Sequence, residues 1–148
     1  MSLLNLITSY DELKTFIPAL RKLYVEMDGK WEPDLTVDEF VLKLVDFFGP
    51  DNYYFGKLTP EGEIVYFAAL LADDQPKAIF WLFFMNKDFR TETQQLLFDM
   101  SDFMMERGYH IIYSRTGRTE RSYERWLTKF GAKKHEVVYK FNLKNLIR

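Results

Sequence analysis

Three strand-like runs in immediate succession, residues 52–58, 63–72 and 77–85, constrain this chain more than any other feature. Their connections, Pro60-Glu61-Gly62 and Asp73-Asp74-Gln75-Pro76, are too short for anything but hairpin turns, so the runs are predicted to form an antiparallel meander. A helix is expected next, opened by a capping box of Thr91 with Gln94, carrying Leu96, Leu97, Met100, Phe103 and Met104 at helical spacing, and stopped at Gly108. It is long enough for a crossover, so the strand-like residues 109–115 are predicted to lie parallel to residues 77–85 and to diverge from them near Met85.

Two helices precede the meander. Ser9 with Glu12 fits a capping box, and Leu13, Phe16, Ile17, Leu20, Leu23, Tyr24 and Met27 follow at helical spacing up to Asp28-Gly29. Pro18 is expected to kink or split that helix. A second box, Thr36 with Glu39, opens a helix whose Phe40, Val41, Leu44, Val45 and Phe48 form an apolar stripe closed by Gly49-Pro50. Beyond residue 115, a helix over residues 119–130 presents Tyr123, Trp126, Leu127 and Phe130 on one side and ends at Gly131, and residues 135–143 read as the last strand. With a short first strand at residues 4–7, the expected class is α+β: a mixed sheet of about six or seven strands flanked by about four helices.

Length confines all of this to one domain over residues 1–148, since 17.8 kDa is enough for one core of ordinary size. Aromatics reach 18%, a surplus that builds a core and also suits flat ligands. The net charge of −2 gives no global attraction to nucleic acid or to an anionic membrane, but it hides an asymmetry. Residues 1–75 carry 6 basic and 14 acidic side chains, and residues 76–148 carry 14 and 8, so one half suits a cation and the other an anion. Cysteine is absent, which excludes disulfides and thiolate nucleophiles, and two histidines are too few for a histidine-rich metal site. No apolar run approaches the roughly 20 residues that span a bilayer. The start MSLLNLITSYDE has neither a basic n-region nor a small-residue cleavage site, and a cytoplasmic protein is the expectation.

The order helix, helix, three antiparallel strands, helix, strand, helix, strand resembles the GNAT acetyltransferase superfamily over nearly the whole chain. The features that carry the resemblance are the strand AIFWLFFM leading through NKDFRTET into QQLLFDMSDFMMERGY, and the later RTERSYERWLTKFGA. The resemblance implies a GNAT-like acyl-CoA N-acyltransferase fold, acetyl-CoA as co-substrate, and direct transfer of an acetyl group to an amine on a small molecule or a protein, without a metal. It implies that the backbone of Phe83, Phe84 and Met85 pairs with the pantetheine arm. It also places the family's pyrophosphate loop, Q/R-x-x-G-x-G/A, on residues 88–93. Asp88, Thr91 and Thr93 depart from that pattern, and Lys87 and Arg90 are the side chains that would supply positive charge, beside Phe89. The same residues also suit an ordinary capped helix start.

The position at which many family members place a thiolate-protonating tyrosine is Leu127 here, so Tyr123, Glu120 and Ser114 become the candidate catalytic residues. The spacing of Tyr123 with Leu127 and Phe130 equally suits a core role. His110 is a further candidate base, or a structural or exposed histidine. On the acceptor side the resemblance selects the loop between the first two helices, with Asp28, Trp31, Glu32 and Asp34, whose charge suits a cationic amine. The basic stripe Arg118, Arg121, Arg125 and Lys129, with Arg115, Lys133 and Lys134, is either a CoA phosphate attractor, a nucleic-acid or acidic-protein surface, or a solvated helix face interrupted by Glu120 and Glu124. A GNAT-like binding or assembly module without catalysis is the competing function, and aromatic-rich strand edges admit a homodimer.

Overall fold

The computed structural model describes residues 3–28, 30–114, 125, 128–129 and 131. The chain divides into two compact units, Met1–Gly117 and Arg118–Arg148. In the first, the helix α1 (Tyr10–Glu26) starts where the Ser9 side chain accepts the Glu12 N–H, and it buries Leu13, Phe16, Leu20 and Tyr24 along one stripe. Contrary to expectation, α1 is neither split nor interrupted at Pro18. Pro18 and Lys14, whose carbonyl the proline leaves without its helical donor, are both on the exposed side of the helix, where a missing backbone bond costs least. The helix α2 (Val37–Phe47) has the full reciprocal box, and the hydrogen bonds from Thr36 hold the Glu39 carboxyl below its ordinary range. Phe40 and Leu44 are its buried residues.

The meander forms as expected: β1 (Tyr53–Leu58), β2 (Ile64–Ala72) and β3 (Lys77–Met85) are successive antiparallel neighbours. The strand β4 (Ile111–Ser114) lies parallel to β3, with Lys77 opposite Ile111 and Phe80 opposite Ser114, giving the order β1-β2-β3-β4. Residues 4–7, expected as a short strand, make a single antiparallel bridge between Leu6 and Phe55. The ladder stops at Asn5, whose backbone N–H donates to the Tyr66 hydroxyl (2.9 Å), while its side-chain amide donates to the Gly56 carbonyl (2.9 Å) that a longer strand would have used.

Two bulges decide which side chains face which layer. In β2, Lys57 pairs with Tyr66 but Leu58 with Ile64, which leaves Val65 as the extra residue. In β3, Ala69 pairs with Leu82 but Leu70 with Phe80, which leaves Trp81 as the extra residue. Trp81, Leu82 and Phe84 therefore pack with Leu13, Phe16, Tyr24, Phe40 and Tyr54. Ala78, Phe80, Phe83 and Met85 pack on the other side with Leu96, Met100 and Met104. The sheet is thus sandwiched, α1 and α2 on one face and the crossover helix on the other.

That crossover helix differs at its start from the expectation. Lys87–Glu92 is a 3-10 turn kinked at Phe89, opened by the Asn86 side chain accepting the Asp88 N–H, and α3 (Thr93–Glu106) follows directly. The N-cap residue is Glu92 and makes no side-chain cap bond, so the predicted box of Thr91 with Gln94 does not form. The physical reason is that the preceding turn is already helical and leaves no extended residue to act as a cap. Gly108, at φ 90°, ends the crossover as expected. The expected last helix and last strand fall mostly outside the described residues. Arg125, Thr128 and Lys129 are helical, and Gly131 has a φ of 88° and donates its N–H to the Thr128 carbonyl.

Two tests follow from this packing. A Cβ at Gly56 would lie 2.8 Å from the buried Phe16 ring and 3.1 Å from Phe67, so Gly56→Ala should destabilise the fold by about 1–3 kcal/mol, read as a lower urea midpoint. The buried Tyr66 hydroxyl, which donates to the Leu3 carbonyl (2.8 Å), is pushed up from 10.0 to about 12 by desolvation, with the Asn5 N–H opposing. The unfolded chain therefore releases this proton first, and the associated stability is complete below the ordinary tyrosine value and lost as the pH climbs toward about 12. Tyr66→Phe should flatten that part of a stability profile measured by urea unfolding at rising alkaline pH, and an unchanged slope would refute the assignment.

Candidate functional site

The loop between α1 and α2 is fixed from beneath. The Tyr24 hydroxyl lies 2.6 Å from both the Glu32 and the Leu35 carbonyls and shares its single proton between them. Burial first, and then the carboxylates of Glu32, Glu39 and Asp34, raise the pKa of that hydroxyl, which keeps it a donor. Tyr24 stacks on Phe40 at 4.3 Å, and Trp31 tilts against the same ring at 5.8 Å. Trp31 is buried, and among the described residues its Nε1–H finds no acceptor, an omission that costs about 1–3 kcal/mol for a polar group out of water.

Pinning the Glu32 carbonyl aims its side chain at the sheet. Glu32 Oε1 accepts from Trp81 Nε1 at 2.8 Å and from Lys43 Nζ at 2.6 Å. The same ammonium lies 5.3 Å from the Trp81 ring centre and 5.5 Å from that of Phe47. An alkylammonium thus sits against one carboxylate and two aromatic faces, each of which favours a cation. The pair keeps 33% of the Lys43 side chain and 19% of the Glu32 side chain exposed, so it is stronger than a fully exposed ion pair yet open to exchange with solvent.

Of the four residues expected on an acceptor side, the fold brings Trp31 and Glu32 into the aromatic layer and leaves Asp28 and Asp34 on the exposed rim of the loop, Asp28 at φ 49°. Three further members, Lys43, Phe47 and Trp81, were not read as site residues. Phe47 carried a signal, because it lies off the apolar stripe of α2 and one turn after Lys43. Trp81 carried none, since its direction depends on the bulge.

Of the residues expected to hold a co-substrate, Phe83, Phe84 and Met85 are half-buried and pair with Ala68, Phe67 and Tyr66 across β2. Described pairing with β4 ends at Phe80 and Ser114, and the expected divergence near Met85 depends on residues beyond Ser114 that lie outside the described ones. Lys87, Asp88, Arg90, Thr91 and Glu92 are exposed on the 3-10 turn, whereas Phe89 is half-buried and Thr93 buried. The Thr93 N–H is committed to the Arg90 carbonyl, and no residue between Asn86 and Thr93 has positive φ. The turn therefore offers an anion its two cationic side chains rather than a backbone nest. Ser114 is exposed at the end of β4, and His110 is exposed with its N–H donated to the Pro76 carbonyl. Glu120 and Tyr123 lie outside the described residues, as do Arg115, Arg118, Arg121, Lys133 and Lys134; Arg125 and Lys129 are exposed.

The Trp81 indole bond to Glu32 is open to a direct check. In a double-mutant cycle of Trp81→Phe and Glu32→Leu, each of which removes one partner of the bond, urea unfolding should give a coupling of about 1 kcal/mol after solvent screening. Additivity of the two changes would show that the bond contributes nothing.

No protein-family model matches the chain, and no curated protein matches its sequence. Solved structures do match. Aminoglycoside 6'-N-acetyltransferase AAC(6')-Ih from Acinetobacter baumannii superposes with a TM-score of 0.65 at 12% identity, covering 94% of this chain and 97% of that one. An acetyltransferase of the GNAT family from Staphylococcus aureus gives 0.64 at 15% identity, covering 97% and 89%. The aminoglycoside acetyltransferase AAC(6')-Iy, solved with the bisubstrate analogue CoA-S-monomethyl-acetylneamine, gives 0.65 at 14% identity, covering 95% and 98%. The chain has the GNAT fold.

Proposed function

We propose that this chain, having the GNAT fold, is an acyl-CoA-dependent N-acyltransferase that carries an acetyl group from acetyl-CoA to an amine. The observation that supports this reading most is the fold likeness over nearly the whole chain to N-acetyltransferases, one of them solved with an analogue that joins CoA to its acceptor. The antiparallel meander continued through α3 into a parallel β4 is the part of that fold that would flank the co-substrate. Phe83, Phe84 and Met85 would offer backbone to the pantetheine arm. Lys87 and Arg90 would meet the phosphates, with Phe89, Thr91 and Thr93 shaping the turn. Acetyl-CoA supplies the activated thioester.

In this reading the neutral amine attacks the thioester carbonyl, the carbon–sulfur bond breaks, and the sulfur leaves with its electron pair and takes a proton. The amine proton goes to a base or to water. No covalent enzyme intermediate or metal is needed, and the main task of the protein is to position the two reactants. Ser114, Glu120 and Tyr123 stay as candidate proton donors. Asp28, Trp31, Glu32 and Asp34 would line the acceptor side, on a small molecule or a protein.

One specific observation favours a second reading, a GNAT-fold binding module without catalysis: the 3-10 turn commits the Thr93 N–H and places Glu92 where an anion would approach the helix. Calorimetric titration with acetyl-CoA separates the two. Saturable binding is expected, and none would overturn the acyltransferase reading in favour of the module. Because side chains replace the nest, Arg90→Ala should weaken CoA by about 1–3 kcal/mol, roughly 5- to 150-fold. Dephospho-CoA should lose as much and a pantetheine fragment nothing, whereas unchanged CoA affinity would move the phosphates to another basic surface.

A further inference from the structure

Lys43 makes the acceptor side unusual, because the place suited to a cation already holds one from the protein itself. Its ammonium donates to Glu32 Oε1 at 2.6 Å and lies 5.3 Å and 5.5 Å from the Trp81 and Phe47 ring centres. We infer that Lys43 is an internal occupant of an ammonium site built from Glu32, Trp81 and Phe47, which an unbranched primary alkylammonium takes over when Lys43 swings out. This inference rests on the acyltransferase reading only for the claim that the incoming ammonium belongs to the acceptor.

Three features argue that the site outlasts the departure of Lys43. Glu32 is held without it, by the Trp81 Nε1–H on its carboxylate and by the Tyr24 hydroxyl at its backbone carbonyl. The indole is held by Phe40 at 6.2 Å and Tyr54 at 6.5 Å, so it does not collapse into the space, and the exposed Phe47 ring lies 5.5 Å from it at the solvent side. The Lys43 side chain is 33% exposed on a flexible four-carbon stem, which lets it leave into water at low cost. A primary ammonium is specified because Glu32 Oε1 is met by an N–H donor, which a quaternary cation lacks. The 14 acidic against 6 basic side chains of residues 1–75 favour the approach of such a cation.

An occupant that fills the site nine-tenths of the time weakens any competitor about tenfold, and removing it restores that factor. Binding of n-butylammonium chloride at constant ionic strength, followed by the Trp81 indole N–H resonance and without acetyl-CoA, should therefore be about tenfold tighter in Lys43→Met than in the unmodified protein. Adding Glu32→Gln to that variant should abolish the gain, and butan-1-ol should bind both forms alike. Pentane-1,5-diamine should show the same gain; a matching gain for Nα-acetyl-lysine methylamide assigns the site to a lysine side chain, and no gain for it assigns the site to a free polyamine. Equal n-butylammonium binding with and without Lys43, or an equal gain for butan-1-ol, overturns the inference. Lys43→Gln repeats the test should the Met variant fail to fold. Since no co-substrate is present, failure of acetyl-CoA to bind would sink the acyltransferase reading and leave this result standing.

Discussion

The bulge at Trp81 is the constraint on which the candidate site depends. A regular β3 would send Trp81 and Leu82 to opposite faces, because side chains alternate along a strand. The extra residue opposite the Ala69–Leu70 step places both against α1 and α2, and brings the indole N–H to Glu32 across 49 positions of sequence. The loop between α1 and α2, the α2 lysine and β3 thereby meet in one polar contact set into an aromatic layer.

That contact is affordable only where the surrounding layer is dense. Phe40 touches Tyr24, Trp31 and Trp81, and Tyr54 adds Phe48, Phe67 and Trp81, so the face beneath α1 and α2 is largely a network of ring contacts. The opposite face, beneath α3, is also rich in rings, with Phe103 edge-on to Tyr53 and Phe55 and Phe80 edge-on to Phe83, but it adds Met85, Met100 and Met104 between them. Methionines give the crossover side adaptable volume, whereas the α1–α2 side sets its rings around the one carboxylate of Glu32.

The middle of β3 and the turn that follows it differ in how their charges are held. Around Trp81 the carboxylate of Glu32 is already compensated by a lysine, whereas the turn after Met85 exposes Lys87 and Arg90 over a helix start with no open nest. Below it, Asn86 ties the turn to the sheet: its N–H and side-chain amide donate to the Val65 and Ile64 carbonyls at the β2 bulge.

Sequence alone determined the order of elements from α1 to β4, the antiparallel meander, the parallel β4, the helix caps at Ser9 and Thr36, and the glycine stop at Gly108, because each follows from local chemistry: periodicity, turn length, or a side chain bonding its own backbone. It also located Glu32 in an acidic loop. Tertiary structure decided that Pro18 stays in a continuous helix, since that depends on which face of α1 meets water. It decided too that the helix after β3 opens with a 3-10 turn rather than at Thr91. The partners of Glu32 were decided there as well: no spacing in AIFWLFFM distinguishes Trp81 from its neighbours, and its direction is set by a register slip against β2. Such a slip is settled by which aromatic faces pack against α1 and α2, a balance between segments far apart in the chain that no local pattern records.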